Sequence, residues 1–176
     1  MTHIIETERL VLRPLKASDA GLITLYTKDP RVAQMTRSIP HPNPPGAVEA
    51  YIEGVLAGTS GEVVWAIDHR GSSEEQLIGL IGLKTEGGEI GYWLGAPFWD
   101  TGFATEAVQA LVADAQRTGW SRLAGEVFQD NPASARVLTK AGFAYAGATQ
   151  SYCVARQRTV DVWRYELEFA RCPQSA

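Results

Sequence analysis

The sequence predicts a mixed α/β fold, in which helices pack on one mixed β-sheet. Seven short segments alternate apolar and polar residues, as strands do, and four others repeat apolar residues every three or four positions, as amphipathic helices do. Their order is strand, two helices, three strands, helix, strand, helix and two strands. The chain has 176 residues and no linker or internal repeat. One domain over residues 1–176 is therefore expected.

The first strand and the first two helices precede residue 60. Residues 9–13 alternate in polarity until Pro14 ends the strand, and Ser18 begins a helix. A proline-rich segment, residues 40–45, is either a plain connector or a loop that faces the substrate. The second helix stops at Gly58. Its apolar residues have helical spacing and are Val48, Tyr51, Ile52, Val55 and Leu56.

Three strands and then a second group of elements follow. Turn residues at 71–73 and 87–88 separate the three strands, which predicts a meander of hairpins. The remaining elements are a long helix, a strand, a short helix capped by Asn131 and ended by Gly142, and two closing strands. The predicted bounds are Glu62–Asp68, Gln76–Leu83 and Glu89–Leu94 for the three strands, Ala104–Ala115 for the long helix, Arg122–Phe128 for the next strand and Asn131–Ala141 for the short helix.

Composition excludes several classes of function. The net charge of -4 and the pI of about 5.4 are opposite to those of proteins that bind nucleic-acid phosphates. Cys153 and Cys172 form no C-x-x-C pair, and the three histidines lie in separate segments, so neither a metal site nor a disulfide framework is expected. No apolar stretch reaches the roughly 20 residues that a bilayer requires, and the N-terminus lacks the core of a signal peptide. A cytoplasmic protein without a membrane partner is expected.

The segment from Glu89 into the long helix carries a candidate anion site. A strand there breaks at Gly95 and enters the helix through a turn, within the stretch GEIGYWLGAPFWDTGFATEA. The first N–H groups of a helix have no intrahelical acceptor, and they lie at the positive end of its dipole. Gly102 allows an anion to approach the backbone closely, and Ala104 adds little bulk. The turn is therefore a candidate phosphate site.

Three separated stretches, in this order, give the chain a resemblance to a known family. They are TERLVLRPL at 7–15, IGYWLGAPFWDTGFATEA at 90–107 and NPASARVLTKAGF at 131–143. The sequence resembles the GNAT superfamily of N-acetyltransferases, in its RimJ/RimL-like branch. The resemblance implies a GNAT-type fold with a mixed, mostly antiparallel sheet of about seven strands and about four flanking helices. It also implies acetyl-CoA as co-substrate, without a metal.

The resemblance assigns the cofactor-binding residues. The pantetheine arm would lie in a gap beside the strand before the turn, where the backbones of Trp93 and Leu94 would pair with it as an added strand does. Asn131 would reach the arm, and Ser134 would face the sulfur. The pyrophosphate would bind backbone N–H groups of the turn formed by Thr101, Gly102, Phe103, Ala104 and Thr105.

Two positions depart from the family pattern. Asp100 stands where a glycine is usual, and a carboxylate near a pyrophosphate is unfavourable by about 1 to 4 kcal/mol at 4 Å, depending on the dielectric. Leu138 stands where many GNAT enzymes have a tyrosine that protonates the departing thiolate. Leu138 is expected in the core, and Ser134 is the substitute candidate.

The reaction requires a neutral amine, because an ammonium cannot attack the thioester. A carboxylate could remove its proton, and Glu89 and Glu126 are the candidates since their strands flank the gap. The predicted function is N-acetylation of a primary amine, on either a peptide or protein N-terminus or a small molecule, by a monomer or homodimer. The alternative is a non-catalytic acyl-CoA sensor. A hydrolase is disfavoured because no G-x-S-x-G occurs.

Overall fold

The computed structural model describes residues 2–71 and 76–170, and it confirms the predicted mixed fold. Within these residues, eight strands form one sheet and five α-helices surround it. The strands are β1 (Ile5–Glu6), β2 (Leu10–Pro14), β3 (Glu62–His69), β4 (Gln76–Lys84), β5 (Glu89–Leu94), β6 (Arg122–Phe128), β7 (Ala144–Cys153) and β8 (Arg158–Glu168). The helices are α1 (Ala20–Thr27), α2 (Pro30–Ala33), α3 (Ala47–Leu56), α4 (Phe103–Arg117) and α5 (Pro132–Lys140).

The sheet order is β1-β2-β3-β4-β5-β6-β8-β7. Every neighbouring pair is antiparallel except β5 and β6, which are parallel. Strands β3, β4 and β5 form the predicted meander. The structure adds two elements to the predicted set, the two-residue strand β1 and the one-turn helix α2. Both are too short to produce a periodic pattern in the sequence.

Two apolar layers cover the sheet. Helices α4 and α5 pack on one face, where Leu111 and Leu138 are each 1% exposed and join residues of β2, β3, β4, β5 and β6. Helices α1 and α3 pack on the other face, around Ile23 and Ile52. Leu138 therefore lies in the core, as predicted. Cys153 is a buried free thiol, whereas Cys172 falls outside the described residues.

The predicted helix ends of α5 are confirmed in detail. Asn131 caps the helix, because its side-chain oxygen accepts a hydrogen bond of 3.3 Å from the backbone N–H of Ser134. Gly142 follows the helix with φ 95°, a left-handed conformation that glycine adopts without steric cost. The cap places Asn131 and Ser134 at the end of α5 that follows β6.

A buried ion cluster connects β2 and β3 to the segment before α1. The two terminal nitrogens of the Arg13 guanidinium donate to the Asp19 carboxylate, at 2.8 and 2.9 Å. The Nε of Arg13 donates to Asp68 at 2.5 Å. The three residues are 8%, 5% and 1% exposed. Although burial acts in the opposite direction, the hydrogen bonds to Asp19 and Asp68 raise the pKa of Arg13. The guanidinium is thus permanently charged and joins β2, β3 and the segment before α1.

Candidate active site

Strands β5 and β6 diverge and leave a gap in the sheet. Their pairing is limited to Glu89 with Ala124 and Ile90 with Gly125. Beyond this point β5 remains paired with β4 as far as Leu94, while β6 remains paired with β8. The rest of β5 therefore presents one backbone edge to the gap. Such an edge can accept an extended ligand in the way that a sheet accepts another strand.

Strand alternation decides which backbone groups face this gap. Gly88 accepts from Ala124 of β6, and Gly95 donates to Ile78 of β4. Because successive backbone groups point to opposite sides of a strand, Tyr92 and Leu94 face the gap and Trp93 faces β4. The backbone groups of Trp93 therefore point to β4, away from the gap in which the resemblance places the ligand, and those of Tyr92 point into the gap. The Leu94 carbonyl accepts a hydrogen bond of 2.9 Å from the Trp99 indole. The backbone group that Leu94 can offer to a ligand in the gap is therefore its N–H.

A cavity of about 710 Å³ opens on the α1 and α3 side of the gap. Its floor is formed by β4, β5 and β6, and Trp93, Asn131 and Ser134 are among the residues that line it. Pro40 and Asn43 also line the cavity, so the proline-rich segment faces the site rather than serving only as a connector. The volume lies within the range of small-molecule sites.

Two predicted catalytic carboxylates meet in this cavity through an arginine. Arg37 forms an ion pair with Glu89 of β5 and another, at 3.1 Å, with Glu126 of β6. Glu89 also accepts from the ammonium of Lys84, with an N–O distance of 3.2 Å. The side chains of Glu89 and Glu126 are 22% and 15% exposed. The two carboxylates therefore lie next to the point where the gap closes.

Lys84 and Arg37 were not predicted as site residues. Burial and the nearby Arg37 cation lower the pKa of Lys84, against the opposing effect of Glu126 and Glu62. Arg37 comes from an irregular segment with no periodic signal. Lys84 directly follows the predicted strand Gln76–Leu83, and the observed β4 extends by one residue to include it.

The turn before α4 has the form expected of an anion site. Gly102 has φ 83°, and the first helical hydrogen bond runs from Glu106 to the Gly102 carbonyl. The N–H groups of the preceding residues of α4 therefore have no intrahelical acceptor. The five predicted residues, Thr101, Gly102, Phe103, Ala104 and Thr105, form this turn and the first helical positions. Asp100 is exposed and has φ 59°, a conformation that favours glycine.

Arg9 supplies a positive charge beside this turn. Its guanidinium donates to the Thr101 carbonyl at 2.9 Å, pairs with Glu106 at 2.7 Å and lies over the Phe103 ring at 4.6 Å. Although burial acts in the opposite direction, the hydrogen bonds from Thr7 and Arg9 lower the pKa of Glu106. Arg9 belongs to the first of the three family stretches, at residues 7–15. Its position beside the start of α4 depends on tertiary structure.

Ser134 has a partner that the sequence did not indicate. The hydroxyl of Tyr92 lies 2.7 Å from the Ser134 hydroxyl and 3.1 Å from the Ser134 carbonyl oxygen, and either oxygen can accept its single proton. Burial raises the pKa of Tyr92, although the Ser134 contact acts against it. Tyr92 therefore remains protonated. The pair joins β5 to the first turn of α5.

Among the residues described, no group of three or more histidine, cysteine or acidic side chains is arranged to hold a metal ion. In the same part of the chain, every helix is too short or too polar to span a bilayer.

Residues 9–144 match the family model described as Acetyltransferase (GNAT) domain. The uncharacterized N-acetyltransferase YoaA of Bacillus subtilis (strain 168) is 32% identical over 178 residues, which cover 95% of this chain and 97% of YoaA. The uncharacterized N-acetyltransferase p20 of Bacillus licheniformis is 29% identical and covers 92% of this chain and 93% of its own length.

Solved structures share the fold at lower identity. RimL, the ribosomal L7/L12 alpha-N-protein acetyltransferase, in complex with coenzyme A, superposes with a TM-score of 0.82 and 20% identity. The match covers 94% of this chain and 98% of RimL. The microcin C7 self immunity acetyltransferase MccE, in complex with acetyl-CoA and AMP, has a TM-score of 0.79 and 18% identity. That match covers 93% of this chain and 94% of MccE.

Proposed function

The chain belongs to the GNAT acetyltransferase family, and on that premise we propose that it transfers the acetyl group of acetyl-CoA to a primary amine by direct attack on the thioester. The observation that carries this proposal is the gap between β5 and β6. The N-terminus of α4, whose first N–H groups have no intrahelical acceptor, lies at one end of the gap, and the carboxylates of Glu89 and Glu126 lie at the other. A thioester in this gap would supply an activated acyl carbon.

Cofactor binding depends mainly on backbone groups in this proposal. Tyr92 and Leu94 bind the pantetheine amides through their gap-facing backbone, and residues 101–105 bind the pyrophosphate through N–H groups. Asn131 contacts the pantetheine arm. The guanidinium of Arg9, held by Thr101 and Glu106, adds positive charge beside the turn. A protein of net charge -4 can thus bind a polyanion.

The chemical step uses groups of the cavity. Glu89 or Glu126 accepts the proton of the attacking amine, and the Leu94 N–H stabilises the negative charge that develops on the carbonyl oxygen. The Tyr92 hydroxyl donates its single proton to the Ser134 hydroxyl, and Ser134 in turn donates toward the departing sulfur. RimL is described as an alpha-N-protein acetyltransferase, so a peptide N-terminus is one acceptor to test, and a small primary amine is the other. The site is proposed to operate in the cytoplasm.

A melting scan with acetyl-CoA tests the proposed cofactor. At 100 times its dissociation constant, a ligand that binds only the folded state stabilises it by about 2.7 kcal/mol. For a chain of this size, the melting temperature should rise by roughly 5 to 11 °C. No rise at millimolar acetyl-CoA would contradict both the enzyme and the acyl-CoA sensor. Release of free thiol with a panel of primary amines then separates the two, because a sensor binds the cofactor without releasing CoA.

Replacing Asp100 by glycine should tighten acetyl-CoA binding. The substitution removes a carboxylate near the proposed pyrophosphate site and suits the left-handed backbone, with φ 59°. Asp100→Asn is the matched control, since it removes the charge but keeps a side chain that tolerates this conformation. Titration calorimetry should show a lower dissociation constant for both variants. Equal affinities for all three proteins would mean that the carboxylate does not act on the phosphates.

A further inference from the structure

Lys84 lies where an acceptor amine is expected. It is the last residue of β4, it lines the cavity, and its ammonium lies 3.2 Å from the Glu89 carboxylate. Glu89 is one of the two proposed bases and lies at the closed end of the gap. A primary amine of the chain itself is therefore held by a group that the reaction would use to take up the proton of its acceptor.

The other lysines differ from Lys84 in their surroundings. The chain contains four lysines, and of these Lys84 lines the cavity whereas Lys16, Lys28 and Lys140 do not. The side chain of Lys84 is 46% exposed, so it is accessible but partly enclosed. Burial and the Arg37 cation lower its pKa, which increases the fraction of neutral amine at a given pH. Only the neutral amine can attack a thioester.

We propose that Lys84 is a self-acetylation site, a conclusion that rests on the proposed function. The Nζ lone pair forms a bond to the acyl carbon of acetyl-CoA, and the carbon–sulfur bond breaks. The proton lost by the amine passes to the Glu89 carboxylate and then to water, and the thiolate of CoA takes up a proton. The products are CoA and an Nε-acetyllysine at position 84. No oxidant or further reactant is needed.

The modification changes the charge of the cavity. An amide replaces the Lys84 ammonium, so Glu89 loses one of its two cationic partners and keeps Arg37. The acetyl group also occupies space beside Glu89. The acetylated chain should therefore transfer acetyl groups to added amines more slowly than the unmodified chain.

The test incubates the full chain with acetyl-CoA and no added amine, followed by peptide mapping by mass spectrometry. Acetylation at Lys84 should be at least about tenfold faster than at the other three lysines, because the amine is positioned beside the base. Its rate constant should not depend on protein concentration. In urea all four lysines should react at similar rates. Lys84→Arg should abolish the modification, Lys28→Arg should leave it unchanged and Glu89→Gln should slow it.

Three outcomes would overturn the inference, and each is distinguishable from the other two. If acetyl-CoA raises the melting temperature and added amines release CoA, but Lys84 reacts no faster than the exposed lysines, self-acetylation is wrong and the proposed function stands. If acetyl-CoA neither binds nor reacts with any amine, the proposed function fails as well. Acetylation that rises with protein concentration would indicate transfer between molecules and would also contradict the intramolecular step.

Discussion

Replacing Glu89 by glutamine should lower kcat by about 10² to 10⁴-fold, the range associated with loss of a general base. Glu89 lies at the closed end of the gap and accepts a hydrogen bond from a primary amine in this structure, the ammonium of Lys84. Glutamine keeps the size of the side chain but does not accept the amine proton. The dissociation constant of acetyl-CoA should remain unchanged, because the proposed cofactor contacts lie farther along β5 and at α4. Steady-state kinetics and calorimetry measure the two quantities separately.

Glu126→Gln is the matched control for this prediction. Glu126 shares Arg37 with Glu89, but among the described contacts it has no amine partner. The Glu126→Gln substitution should therefore reduce kcat much less than the Glu89→Gln substitution does. A larger loss in Glu126→Gln would assign the base to β6 instead. Full activity in both variants would indicate that positioning of the amine, without a carboxylate base, accounts for the rate.

The elements around the site could be predicted because their signals are local. The observed bounds of β5 and β6, Glu89–Leu94 and Arg122–Phe128, equal the predicted ones. Turn glycines or polar residues flank both strands and mark their ends in the sequence. The cap of α5 by Asn131 and its exit at Gly142 involve only neighbouring residues. Two of the three family stretches, at 90–107 and 131–143, include β5 and α5.

The contacts that define the chemistry could not be predicted, because they join residues distant in the sequence. Arg37 and Glu126 are 89 positions apart, and Arg9 and Thr101 are 92 apart. Arg37 lies in an irregular segment, where no periodicity places it on a face. The side to which the backbone N–H and C=O of Trp93 point depends on how β5 pairs with β4 and β6. The side-chain pattern of one strand does not show this pairing.

Replacing Arg13 by alanine should lower the free energy of unfolding by about 3 to 5 kcal/mol, the usual cost of removing one partner from a buried ion pair. The substitution leaves the carboxylates of Asp19 and Asp68, 5% and 1% exposed, without their cation. One oxygen of Asp68 already has no hydrogen-bond partner among the described residues. The melting temperature should fall by roughly 6 to 20 °C.

The pH dependence of this variant distinguishes charge burial from lost packing. Without Arg13, the folded state can relieve its two buried carboxylates by taking up protons that the unfolded state does not need. The folded variant then binds more protons than the unfolded chain, so its stability rises as pH falls. The loss of stability should be smaller at pH 5 than at pH 8 in denaturant titrations. Arg31→Ala is the control. It removes the ion pair with Asp29, in which the Arg31 side chain is exposed, and it should leave the unfolding midpoint unchanged. A pH-independent loss in Arg13→Ala would mean that the arginine contributes through packing alone, and that the two carboxylates do not depend on its charge.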